Sequence, residues 1–255
     1  MKHILSFSGG KDSTFLLLEL IRRKCSLDEV VFFDTGWEFP VMYEHIERCK
    51  KICEERNINF VTLYPKESFD YLMFDNPKTK RNGTKVNGNS WCGGACRWGT
   101  FIKQKYLNEY TKGHLVYLGI CVDEPLRLIN LESHKFAPLA EWGITEAECL
   151  QGCYNAGFDW GGMYEHLDRL SCKFCRNKNL KELRNIRKHY PEVWEELKDY
   201  QSRTDQPYKG KGKSVFDLEK RFRFEEERLT QRKSINNKEF FAELKKKYTE
   251  SEDTE

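Results

Sequence analysis

Near the start of the chain, Ser8-Gly9-Gly10-Lys11-Asp12-Ser13 gathers two glycines, an ammonium and two hydroxyls into six residues. Glycines let a backbone approach an anion without a Cβ in the way, and bare amides, a lysine and hydroxyls are the donors that grip phosphate oxygens. Asp12 can order such a loop or hold Mg2+. The pattern is not a Walker A loop, because Leu5 stands where its first glycine belongs and Asp12 follows the lysine where Ser or Thr is needed. Two cysteine pairs, Cys92/Cys96 and Cys172/Cys175, each put two thiols within one turn of chain, a spacing that suits a shared metal ion or cluster.

Elements must carry these groups. Residues 3–7 read as a short buried strand and residues 14–23 as an apolar helix that Ser13 can cap. Residues 29–34 form a second strand ending in Asp34-Thr35-Gly36, and residues 41–56 have helical periodicity behind Pro40. Strands are also expected at 60–63 and 115–120. Alternation of this kind predicts an α/β fold, a doubly wound parallel sheet with helices on both faces and right-handed crossovers. A strand-to-helix loop in such a sheet lies at its carboxyl edge, where the helix dipole favours an anion.

Residues 65–89 lack clean periodicity and read as a long, mobile insertion near the site. Thr145 and Glu148 have capping-box spacing and open a helix to about residue 156, with helices at 178–189 and 191–201 to follow. Residues 203–213 are polar and Gly-rich, a linker before charged helical patterns at 215–229 and 238–248. The expected division is therefore 1–202, a nucleotide-binding domain that includes the cysteine region, and 203–255, a linker and helical C-terminal extension.

Ser8 to Ser13 behind a strand resembles the PP-loop of the ATP pyrophosphatase superfamily. Phe33-Asp34-Thr35-Gly36-Trp37-Glu38-Phe39-Pro40 is similar to the "DTGxExP" element of the phosphoadenosine phosphosulfate (PAPS) reductase family within it. Leu118 to Arg127 is similar to that family's "GIRxDES..R" segment, with Cys121 in place of the first arginine, and residues 138–142 resemble its "PL..W" stretch. The resemblance covers roughly residues 1–200. It implies a Rossmann-like fold of the adenine nucleotide alpha hydrolase type and a site for ATP, with Mg2+ bridging the phosphates. Ser8, Gly9, Gly10, Lys11, Asp12, Ser13, Asp34, Thr35, Gly36, Glu38 and Arg127 would contact the nucleotide, and Lys11, Asp12 and Asp123 would act in catalysis. For Asp123, Glu124 and Arg127 the alternative reading is a surface ion-pair cluster.

By the same resemblance Cys92, Cys96, Cys172 and Cys175 hold a 4Fe-4S cluster, with Zn2+ as the alternative because the upstream pair is CxxxC rather than adjacent. Cys149 and Cys153 read as small buried hydrophobes that could still join the site, and Cys25, Cys49 and Cys53 as core. The family's sulfonucleotide reductases carry a nucleophilic cysteine near the C-terminus, and no cysteine follows Cys175. That disfavours the oxidoreductase reading, reduction of PAPS or adenylyl sulfate. The leading expectation is an ATP-dependent adenylating enzyme, a sulfurtransferase that takes sulfur from a donor protein and delivers it to a nucleic acid. A nucleotide- or nucleic-acid-binding module without turnover is the non-enzymatic alternative.

Composition sets the bounds. The chain of 255 residues is 39% hydrophobic, 33% charged and 14% aromatic, with a net charge of +3, which fits a folded protein. No basic and apolar leader opens it, and no apolar run is long enough for a membrane span, so the expectation is a cytoplasmic protein whose ten cysteines are thiols or metal ligands. Residues 66–105 hold eight Lys or Arg against three acids, and residues 173–189 hold seven against Glu182. Each basic stretch suits either an anionic partner such as nucleic acid or a solvated helix face.

Overall fold

A computed structural model describes residues 1–91, 96, 101–230 and 236–249. The chain forms two compact units, one of residues 1–76 and 92–175, the other of residues 77–91 and 176–255. The expected boundary at 202/203 falls inside the second unit. Among the described residues no helix is long and apolar enough to cross a membrane.

The first unit is built on a five-stranded parallel sheet. Its strands are β1 (His3–Phe7), β2 (Glu29–Phe33), β3 (Asn59–Leu63), β6 (Leu115–Leu118) and β7 (Lys135–Phe136), in the order β3-β2-β1-β6-β7. The chain runs outward from β1 through β2 to β3, then crosses back to lay β6 on the other side of β1. That reversal beside β1 is the topological switch point, where an open α/β sheet leaves a crevice beyond its carboxyl ends. β2 is buried along its whole length, as expected of a strand covered on both faces.

Alternation of side chains explains the covering. Phe7 is in register with Phe32, and Phe7 stacks on His45 of α2 (Pro40–Glu54). Phe33 points the other way and meets Tyr106 of α3 (Lys103–Tyr110) with ring centroids 5.6 Å apart. Burial, then the charge of Arg48, lowers the pKa of His45 to about 4. The neutral ring stays in the core, bonded to Thr14 Oγ1 at 2.9 Å.

α1 (Lys11–Arg22) packs on α6 (Glu146–Asn155). The contact is tight enough that a Cβ on Gly152 would lie 2.1 Å from the Phe15 ring. Thr145 and Glu148 make both bonds of the expected capping box. Among the described residues the unit also has the short helices α4 (Pro125–Leu128), α5 (Pro138–Glu141) and α7 (Met163–His166).

The insertion read as mobile has definite structure. Phe69 and Met73 are buried at a π-helical turn over Tyr71–Asp75. The second unit then opens with a hairpin of β4 (Pro77–Thr79) and β5 (Lys85–Asn87), which turns through Gly83 at φ +83°.

Among its described residues the second unit continues with helices α8 (Leu180–His189), α9 (Pro191–Ser202), α10 (Val215–Thr230) and α11 (Asn237–Thr249). Here the basic stretch 173–189 turns largely inward. Arg184 pairs with Glu225, Arg187 pairs with Glu219 and Glu226, and Lys178 is fully buried. The stretch read as a linker is held on α9 by Gln201, whose amide donates to Thr204 O and Gln206 O and whose oxygen accepts from Tyr208 N.

Candidate active site

The loop after β1 is shaped by its glycines. Gly9 has φ +79°, and a Cβ there would meet Met42 Cε at 2.8 Å. Gly10 is the N-cap of α1 and has no side chain to cap it. The helix begins at Lys11 rather than at residue 14, which corrects the expectation that Ser13 caps it. Ser13 lies in the first turn instead, where its hydroxyl donates to Gly10 O at 3.1 Å and lies 3.0 Å from Ser8 Oγ. With glycine at the cap position, no side chain of the cap residue itself covers the positive end of the helix.

Two aromatic residues from beyond α6 hold this loop. Trp160 Nε1 donates to Gly9 O at 2.9 Å, and Lys11 N donates to the Tyr164 hydroxyl at 2.8 Å. Lys11 Nζ is bound to Asp12 at 2.8 Å and to Glu146 at the head of α6. Burial works against its charge, but these two carboxylates outweigh it and raise the Lys11 pKa. Burial also raises the pKa of Asp12, against the opposing pull of Lys11. The loop lysine is thus a fully charged ammonium held in place by acids, ready to be shared with a phosphate.

The end of β6 closes on the same helix head. A Cβ on Gly119 would lie 2.8 Å from Ser13 N and 3.0 Å from Ser13 Cα, so glycine is required for the two segments to touch. Cys121 follows, buried, with its Sγ 3.7 Å from Asp12 Oδ1 and 3.5 Å from Cys149 Sγ. Asp123 is exposed and accepts the Glu146 N–H at 3.1 Å, bracing the start of α6. Glu124 Oε2 accepts from Cys121 N, and Oε1 pairs with Arg127 at 2.6 Å. Arg127 also lines a cavity of about 330 Å3 with Lys103 and Lys135.

At the end of β2, Asp34 Oδ1 accepts from Gly36 N at 2.8 Å and from the Tyr43 hydroxyl at 3.0 Å. Thr35 Oγ1 donates to Glu38 at 2.8 Å. The register of β1 with β2 sets this turn next to the Ser8 loop. The downstream cysteine turn docks on it. Lys173 N donates to Trp37 O at 2.7 Å, and Phe174 packs edge-on to Trp37. Cys175 N donates to Cys172 O at 3.0 Å, and both cysteines are half-buried. Cys96 is described and lies in the same unit, whereas Cys92 lies outside the described residues.

The structure therefore joins Lys11, Asp12 and Ser13 with residues sequence reasoning did not single out: Glu146, Tyr164, Trp160 and Gly119. Only the Gly119 neighbourhood carried a sequence signal, through the segment from Leu118 to Arg127. A glycine-lined helix head at a switch point, with a buried lysine and two carboxylates, can bind a polyphosphate and position a divalent cation beside it.

This arrangement defines an α/β protein with a glycine-rich loop at the switch point of its parallel sheet. Residues 2–114 match the phosphoadenosine phosphosulfate reductase domain. An uncharacterized protein of Methanocaldococcus jannaschii is 23% identical over 75% of this chain and 40% of its own length. An uncharacterized nin region protein of Escherichia phage lambda is 27% identical over 72% of this chain and 68% of its own. The chain spans well under half of the archaeal relative.

Proposed function

We propose that the chain binds ATP, or a closely related adenylyl nucleotide, on Ser8 to Ser13 and activates a substrate by adenylation. The observation that carries this reading is the Lys11 ammonium, held between Asp12 and Glu146 at a helix head capped by glycine. In this reading Lys11 stabilises charge on the departing pyrophosphate, and Asp12 and Asp34 offer carboxylates to Mg2+. Asp123 acts at most through α6, since its carboxylate is engaged by the Glu146 amide. Arg127 and Glu38 remain candidate contacts to the nucleotide.

Cys96, Cys172 and Cys175, with Cys92, are the proposed ligands of a 4Fe-4S cluster or Zn2+. The fit is chemical: half-buried thiols, two of them on one tight turn anchored to Trp37, suit a thiophilic centre. When bound, such a centre supplies a place to hold sulfur or a brace for the Asp34 turn. A nucleic acid is the proposed acceptor, and the exposed Lys80, Arg81 and Lys85 of the hairpin support it. The ion pairs of Arg184 and Arg187 remove support from the second basic stretch.

Calorimetry with Mg2+-ATP, followed by pyrophosphate release in the presence of candidate RNA or DNA, tests the proposal. Lys11→Met should abolish both signals. Binding without turnover on any acceptor would leave a nucleotide-binding module. The domain family itself favours a second reading, reduction of PAPS or adenylyl sulfate, which sulfite production with thioredoxin as reductant would establish.

A further inference from the structure

We propose that Asp12, Cys121 and Cys149 form a binding site for a thiophilic divalent cation of the zinc type, beside the phosphate loop and separate from the four-cysteine centre. The three ligand atoms all lie within 4.8 Å of one another. The two sulfurs are 3.5 Å apart, and Cys121 Sγ is 3.7 Å from Asp12 Oδ1. In a tetrahedral zinc site with Zn–S of about 2.3 Å and Zn–O of about 2.1 Å, the corresponding separations are about 3.8 Å and about 3.6 Å. Two of the three edges are therefore close to those of a metal tetrahedron before any metal arrives, and the third is within 4.8 Å.

The chemistry of the surroundings agrees. Both cysteines are fully buried, and the partly exposed Asp12 carboxylate lies against Cys121 at the mouth of the pair. Cys149 and Cys153 share one face of α6, yet they are used differently. Cys153 Sγ donates to Lys11 O at 3.4 Å, while Cys149 turns to Cys121. Three protein ligands leave one position for water or an anionic ligand, the coordination of an open rather than a structural zinc site. Asp12 also binds Lys11, so the cation would sit within one residue of the loop ammonium. The site does not depend on which nucleotide the loop takes.

The test is metal titration of the full chain, stripped of metal under anaerobic, phosphine-reduced conditions, with Co2+ as the absorbing probe and Zn2+ in competition. The wild type should bind one equivalent more than Cys149→Ala, with loss of part of the thiolate-to-cobalt absorption in that variant. Asp12→Asn, at a partly exposed position, should retain the fold by circular dichroism and bind the additional equivalent at least about tenfold more weakly. Equal stoichiometry and affinity in wild type, Cys149→Ala and Asp12→Asn would overturn the proposal. So would finding that Cys172→Ser abolishes every tight equivalent, because all the metal would then belong to the four-cysteine centre. A Cys121–Cys149 disulfide on air oxidation, with no additional metal taken up by the reduced protein, would also overturn it in favour of a thiol pair.

Discussion

Replacing Gly119 with alanine probes the junction on which the candidate site depends. Gly119 is not among the residues of positive φ, so alanine is conformationally acceptable and would by itself stabilise the chain by about 0.4–1 kcal/mol. Its Cβ, however, would lie 2.8 Å from Ser13 N and 3.0 Å from Asp12 C and Ser13 Cα. These are backbone atoms of the first turn of α1, so no rotamer change can relieve the clash. Overpacking of this sort costs about 1–3 kcal/mol, leaving a net loss of at most about 2.6 kcal/mol and about 1.3 kcal/mol at the midpoint. For a chain of this size the midpoint is a melting-temperature drop of roughly 3–5 °C. The helix head must also retreat from β6 by several tenths of an ångström, which should weaken Mg2+-ATP binding about tenfold or more.

Gly113→Ala is the control for that experiment. It has φ +79° and nothing within 4 Å of a Cβ, so it carries backbone strain without touching the loop. It should lower stability by about 1–2 kcal/mol and leave nucleotide affinity unchanged. Scanning calorimetry and nucleotide titration on both variants decide the matter. If Gly119→Ala melted with the wild type and bound nucleotide normally, the close approach of β6 to α1 would have no bearing on the site.

Tyr164→Phe removes the hydroxyl that accepts the Lys11 N–H. The amide becomes available to a phosphate, and titration should show nucleotide binding about 2–10-fold tighter. Glu146→Gln removes one of the two carboxylates that raise the Lys11 pKa. The ammonium would then turn more fully to the ligand, so polyphosphate affinity should rise while the Lys11 pKa, read by NMR, falls. Burial works against the charge of Glu219, but hydrogen bonds from Arg187, Trp194 and Arg223 more than offset it and bring its pKa down to about 2. A carboxylate with a depressed folded-state pKa contributes stability that is full above its unfolded value and is lost as pH falls through the folded value. Acid titration followed by circular dichroism should therefore show helix loss between about pH 4.5 and pH 2. Glu219→Gln should lower stability at neutral pH by on the order of 2 kcal/mol and flatten that dependence.

Local rules were legible in the sequence wherever one residue type enforces one geometry. Buried runs placed β1 and β2, Thr145 and Glu148 placed the start of α6, and Pro191 placed that of α9. The hairpin over Pro77–Asn87 was hidden because its strands are short and polar, with no hydrophobic alternation to set against its Asn-Gly turn. The partners of Lys11 were hidden for a different reason. Glu146 and Tyr164 lie more than a hundred residues away, and nothing local in either marks it as facing the loop.

The substitution at residue 121 shows how such distant contacts change the meaning of a local departure. Read in its own segment, Cys121 is only a departure from the "GIRxDES..R" pattern that the segment resembles. Once the crossover to β6 brings Gly119 against Ser13 and α6 brings Cys149 against Cys121, the same residue is a thiol facing the aspartate of the phosphate loop. A cation held there would displace the two thiol protons and leave the net charge of the site unchanged, but its open coordination position would offer a direct ligand site for a phosphate oxygen, with Asp12 as the link to Lys11. Nucleotide binding should therefore strengthen when the cation is supplied to wild type and not when it is supplied to Cys149→Ala. Titrating both proteins with ATP analogues, with and without Zn2+, checks this, and equal gains in the two proteins would break the link between the thiols and the loop.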